Sequence, residues 1–85
     1  MKRTKKNKLI VDLNEASKRR YKYRLCIGEI KTRRHMTPGM LQELRRFKTM
    51  KKDNDIVFNT TYDTLLRGKV TPQEIEDRMW YNQWG

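Results

Sequence analysis

The sequence predicts a small mainly-α domain, with three to four short helices preceded by a short N-terminal strand and a disordered basic arm. Three observations lead there. The chain has 85 residues, enough for a single small domain. Thr37-Pro38 and Thr71-Pro72 each pair an N-cap residue with a proline suited to the first helical position. Apolar residues downstream of each start recur at spacings of three and four, the period of a helix face. The differing lengths after the two starts mark shared capping chemistry rather than a duplication. The domain is expected to occupy residues 9–85, basic over 9–52 and acidic and helical over 53–85, behind the arm at 1–8.

The elements follow in order. Residues 1–8 have no apolar periodicity and read as an arm able to order along a phosphate backbone. Leu9-Ile10-Val11-Asp12-Leu13 is short, apolar and partly β-branched, and reads as a strand. Residues 14–31 carry two periods at once. Tyr21, Tyr23, Leu25 and Ile27 alternate with Lys22, Arg24 and Cys26, as in a strand. Tyr23, Cys26, Ile27 and Ile30 fall at i, i+3, i+4 and i+7, as on a helix, and Ala16 and Arg20 extend that stripe. The abundance of Glu, Ala, Lys, Arg and Leu favours the helix, with Asn14 as its N-cap. Gly28 interrupts either pattern. The alternative fold is α+β, with a hairpin over 9–30 packed on the C-terminal helices.

The second helix is expected over 36–51, capped by Thr37, stapled by Met36 and Leu41, and ended by Asp53-Asn54-Asp55. Its core face is Leu41, Leu44 and Phe47. Ile56-Val57-Phe58 then reads as a buried strand or an extended entry. A short helix follows from Asn59 to Arg67, with Gly68 as its left-handed terminator. Thr71-Pro72-Gln73-Glu74 has the pattern of a capping box, with a Val70–Ile75 staple, and starts a last helix to about Asn82 that turns Ile75, Met79 and Tyr81 inward.

Composition sets the class of partner. Lys and Arg number 21 against 10 Asp and Glu, a formal net charge of +11, and the mean hydropathy is −1.07. Leu, Ile, Val and Phe make up 17 of the 85 residues, so the core is thin. The charge is uneven: residues 1–52 hold 18 cations and four acids, whereas 53–85 hold three cations and six acids. The cations cluster. Lys2, Arg3, Lys5, Lys6 and Lys8 come first, and Lys18, Arg19, Arg20, Lys22 and Arg24 second. Lys31, Arg33 and Arg34, beside His35, form a third group, and Arg45, Arg46, Lys48, Lys51 and Lys52 a fourth. Like charge stored at this density favours a polyanionic partner over a merely solvated surface.

The expected function is therefore non-enzymatic binding of nucleic acid, DNA or RNA, through largely sequence-independent phosphate contacts of these clusters, Lys51 excepted because it continues the inward period of Leu41, Leu44 and Phe47. About six such contacts would make affinity fall on the order of a thousandfold between 50 and 200 mM salt. Tyr21 and Tyr23, interleaved with Lys22 and Arg24, are candidates for stacking on bases, against the plainer reading that both pack on the core. Trp80 and Trp84 flank Tyr81; one is expected in the core and the other, Trp84, exposed as a candidate protein-partner anchor, with both folded back inside as the equal alternative. A helix-turn-helix over 60–82 is disfavoured because Glu74, Glu76 and Asp77 would meet phosphate, and a ribbon reader over 9–13 because Ile10 and Asp12 are poor donors.

Two other functions are weighed. One is a small phage-type protein-interaction factor that inhibits or modulates a host polymerase or nuclease through its basic face. The other is a ribonuclease toxin using Tyr21, Tyr23, His35 and nearby Arg, or a ribosomal subunit. One His, one Cys and one Ser form no visible triad or metal-ligand spacing, so no catalytic residue, cofactor, metal or small-molecule substrate is expected. Cys26 reads as a small buried hydrophobe. No apolar run approaches the length of a membrane span, and a lone Cys fits a reducing, cytoplasmic setting.

Overall fold

The computed structural model describes residues 1–82 and contains a long helical hairpin with a short cap. Helix α1 runs Arg3–Lys31, α2 runs Pro38–Arg67, α3 runs Pro72–Asp77, and a 3-10 turn covers Trp80–Asn82. At 1.5 Å per residue the two long helices are each about 45 Å long. The radius of gyration is 16.0 Å. A compact globule of this chain length would have about 12 Å, so the molecule is a rod with much surface for its mass.

Heptad geometry holds the hairpin together. On α1 the positions turned toward α2 are Leu9, Leu13, Ala16, Arg20, Tyr23, Ile27 and Ile30, separated alternately by four and three residues. On α2 they are Met40, Leu44, Phe47, Lys51, Asn54, Phe58, Thr61 and Leu65, with the same alternation. All are buried or half-buried. A 4–3 repeat keeps one seam facing one partner along the whole helix, as in an antiparallel coiled coil.

The seam is apolar at its ends and polar between them. At the open end Ile10, Leu13, Leu65, Val70, Ile75 and Met79 form the buried core, with Leu9, Phe58 and Tyr62 packed against it. Toward the connecting loop Ile30 and Leu44 are buried and Tyr23 meets Phe47 at 6.3 Å between ring centroids. Midway, Ala16 is fully buried and Asn54 is only 6% exposed. The Asn54 amide donates to Ala16 O (2.7 Å) and its oxygen accepts from Arg19 Nε (2.9 Å). Arg20 reaches across the seam to Asp55 at 2.8 Å, its guanidinium 4.8 Å from the Phe58 ring centroid. A buried polar layer of this kind penalises other registers and fixes this one.

The C-terminal segment lies along a second face of α1. Lys6 pairs with Glu74 (2.8 Å) and Arg78 donates to Asn7 (2.9 Å). The Asn14 side chain donates to Arg78 O (3.1 Å) and accepts from the Trp80 backbone N–H (2.7 Å). The Trp80 indole N–H donates to Ser17 Oγ (3.1 Å). Lys6, Asn7, Asn14 and Ser17 thus form a polar stripe flanking buried Ile10.

Several sequence expectations are corrected. Among the described residues there is no strand, which removes the N-terminal strand, the hairpin over 9–30 and the strand at 56–58. A strand over 9–13 would turn Leu9, Val11 and Leu13 one way, yet Val11 is 56% exposed while Leu13 is buried. Ile56 and Val57 are 58% and 47% exposed, and of that triplet only Phe58 faces the seam. The arm at 1–8 is helical from Arg3, because Lys and Arg are good helix formers and because Lys6 and Asn7 are tied to the C-terminal segment. Its uncapped, cation-rich first turn opposes the helix dipole, but Met1 lies against Gly68 at the end of α2, whose dipole has the opposite sign there. The helices are two long and one short, not three to four short ones. Asp53-Asn54-Asp55 does not end α2, since Asn54 and Asp55 spend their side chains on α1 rather than on their own backbone.

Both Thr-Pro starts hold: Thr37 Oγ1 accepts from Met40 N–H and Thr71 Oγ1 from Glu74 N–H, each at 3.2 Å. The Glu74 carboxylate turns to Lys6 instead of completing the capping box. At the end of α2 the left-handed residue is Lys69 (φ 66°), not Gly68 (φ −79°). Val70 N–H donates to Leu65 O (3.1 Å) and Lys69 N–H to Leu66 O (3.0 Å). This is the Schellman pattern, and the apolar contact it favours lies between Leu65 and Val70, both in the core.

Candidate nucleic-acid interface

Helical periodicity redistributes the sequence clusters. In the second cluster Lys18 and Lys22 face away from α2, Arg19 turns to Asn54, Arg20 enters the seam, and Arg24 projects along one flank. In the first cluster Lys6 is held by Glu74, while Lys2, just before α1, and Arg3, Lys5 and Lys8 on its opening turns are exposed. Arg33 and Arg34 lie exposed in the connecting loop with His35, and Arg33 is 3.7 Å from Glu29. Arg46 and Lys48 are two residues apart and project about 160° apart around α2.

One surface gathers cations from three of the four clusters. A groove of about 440 Å³ runs along the hairpin flank, lined by Arg24, Ile27 and Lys31 from α1 and by Lys48, Lys51, Lys52, Asp55, Ile56 and Asn59 from α2. The α1 residues stand at i, i+3 and i+7, and those of α2 begin i, i+3, i+4, i+7, so each helix offers one continuous stripe. Five cations therefore face a single carboxylate. Asp55 is already engaged by Arg20 at 2.8 Å and approached by Lys51 at 3.9 Å. Arg24, Lys31, Lys48 and Lys52 have no ion-pair partner among the described residues. Arg45 stands one turn beyond Lys48 on the same α2 stripe, at i, i+3 and i+7 with Lys48 and Lys52.

A second cleft adjoins the first. It measures about 280 Å³ and is lined by Ser17, Arg20, Tyr21, Arg24, Trp80 and Tyr81. Arg24 belongs to both. Tyr21 and Trp80 meet at 6.0 Å between centroids with planes 63° apart, and Trp80 and Tyr81 at 5.9 Å and 79°. The Tyr81 hydroxyl donates to the Glu76 carboxylate at 2.9 Å. Partial burial, and then that hydrogen bond to Glu76, raise the Tyr81 phenol above its ordinary pKa of 10.0.

The structure separates the two candidate stacking residues. Tyr21 lines the second cleft and is 55% exposed, whereas Tyr23 is a seam residue against Phe47. Trp80 is half-buried in the second cleft, and Trp84 lies outside the described residues. Cys26 is half-buried. Tyr21 and His35 are not brought together: Tyr21 stands about 15 Å along the axis from Lys31 at the end of α1, and His35 lies in the loop beyond. Among the described residues no group of three His, Cys, Asp or Glu is placed to hold a metal, and no helix is long and apolar enough to cross a membrane.

Sequence reasoning missed Lys51, Ile56 and Asn59 as groove residues, and Asn14 and Ser17 as the groups that seat the C-terminal aromatics. The i, i+4 spacing from Ile56 to Lys52 was a usable signal only once α2 was known to continue through residues 53–55. Comparison with protein-family models, with curated proteins and with solved structures finds no match to the chain.

Proposed function

We propose that this chain is a non-enzymatic nucleic-acid-binding protein of the cytoplasm that grips phosphates in the groove between α1 and α2. The observation that carries this reading is the convergence of Arg24, Lys31, Lys48, Lys51 and Lys52 on one groove containing a single acid, itself occupied. Two helical stripes meeting across a seam hold those charges in place, so a ligand incurs less ordering cost than it would with a flexible tail. Exposed Ile56 in the same groove offers apolar contact to sugar or base. The contacts are to backbone phosphates and carry no base code, so binding is largely sequence-independent.

The test is affinity for single-stranded and duplex oligonucleotides at rising salt. With the four unpaired cations each engaging one phosphate, affinity for a single strand falls about fifty-fold between 50 and 200 mM salt, and for a duplex about 150-fold. A flat salt response, or no binding at 50 mM, removes the reading.

A further inference from the structure

The geometry points to a single-stranded ligand: the cleft of Tyr21, Trp80 and Tyr81 is a stacking platform for unpaired bases, continuous with the phosphate groove through Arg24. This rests on the reading of the groove given above and extends it from polyanion to the class of nucleic acid.

The aromatic cleft is built before any ligand arrives. Trp80 is anchored twice, its backbone N–H on Asn14 Oδ1 at 2.7 Å and its indole N–H on Ser17 Oγ at 3.1 Å. Tyr81 is anchored through its hydroxyl to Glu76 at 2.9 Å. These bonds occupy the polar edges of both rings. Tyr21 and Tyr81 nonetheless keep 55% and 44% of their surface in water. A thin-cored protein that leaves two large rings exposed beside an oriented indole holds apolar surface which burial would otherwise have made stabilising. Edge-to-face packing at 63° and 79° sets the edge of one ring of each pair on a face of the other, so the surface on which a base can stack is what Tyr21 and Tyr81 leave exposed around the oriented indole.

Charge sorts the ligand along the rod. Glu76 sits at the Tyr81 end and repels phosphate there. The unpaired cations begin at Arg24 and continue to Lys31, Lys48 and Lys52. A strand therefore lies with bases against the aromatics and backbone in the basic groove. From Ser17 to Lys31 the α1 side of this track is about 21 Å long, room for several nucleotides. A duplex satisfies the groove but keeps its bases paired and stacked, so it gains nothing from the aromatic cleft.

The test compares four probes at about 100 mM salt: dT12, rU12, a blunt duplex of the same length, and inorganic polyphosphate. Wild type is expected to bind one or both single strands more tightly than the duplex. Tyr21→Ala should weaken the single strands about fivefold to a hundredfold and leave polyphosphate unchanged. Tyr21→Phe, which keeps the ring, should retain the affinity. Because Tyr21 is exposed the fold tolerates both changes, and Tyr81→Ala repeats the test from the other wall. Duplex bound more tightly than either strand, or no selective effect of Tyr21→Ala, overturns the single-strand assignment while leaving the phosphate groove intact. Failure of all four probes overturns the phosphate groove as well.

Discussion

Asn14 is the hinge pin of the C-terminal segment, and its removal should loosen that segment before it melts the hairpin. The side chain makes two bonds to backbone 64 and 66 residues away, to Arg78 O at 3.1 Å and from Trp80 N–H at 2.7 Å. No other backbone partner of either group is present among the described residues. Asn14→Ala thus deletes two hydrogen bonds worth about 1 kcal/mol each, and leaves two half-shielded backbone groups partly unsatisfied. The expected loss is about 2–3 kcal/mol, a fall in Tm of roughly 10–20 °C for a domain this size. Asn14→Asp keeps the acceptor for Trp80 but sets a carboxylate oxygen against Arg78 O in place of the donor, so it should not recover the stability lost in Asn14→Ala. Amide exchange separates local from global effects: the Trp80 N–H should exchange at least tenfold faster in Asn14→Ala, with the amides of the Ala16–Asn54 layer less affected. Unchanged Tm and unchanged Trp80 exchange would refute the latch, and uniform acceleration along both long helices would refute its locality.

Two other substitutions probe the hairpin. Asn54→Ala should cost about 1–2 kcal/mol through its two lost bonds and the space left, whereas Asn54→Leu should be near neutral or stabilising in urea melts but admit other association states by sedimentation. Lys69→Gly should stabilise by about 1 kcal/mol, since the φ of 66° at Lys69 strains any residue with a Cβ; chemical denaturation measures it, and a loss of stability would contradict the Schellman assignment.

The helical stripe that became the α1 seam was visible in the sequence from Ala16 to Ile30, as were both Thr-Pro starts. The length of the helices was not. Asp53-Asn54-Asp55 has the composition of a turn, and only the burial of Asn54 against Ala16 O shows why the helix runs on. Leu9–Leu13 looks like a strand because two apolar surfaces, one toward α2 and one toward α3, fall on adjacent residues of one helix. Basic runs were legible as charge but not as surface, since residues adjacent in sequence diverge by 100° on a helix. Arg24 and Lys52 share a groove, whereas Lys22 and Arg24 do not.

The central claim is that binding depends on where the cations are gathered rather than on how many there are. The slope of log affinity against log salt for a single strand tests it most directly, measured for wild type, for Lys48→Ala with Lys52→Ala, and for Lys18→Ala with Lys22→Ala. Each pair removes the same charge. The groove pair should reduce the slope by about 1.4, and the outward pair should leave it near the wild-type value. Equal reductions from both pairs would contradict the account.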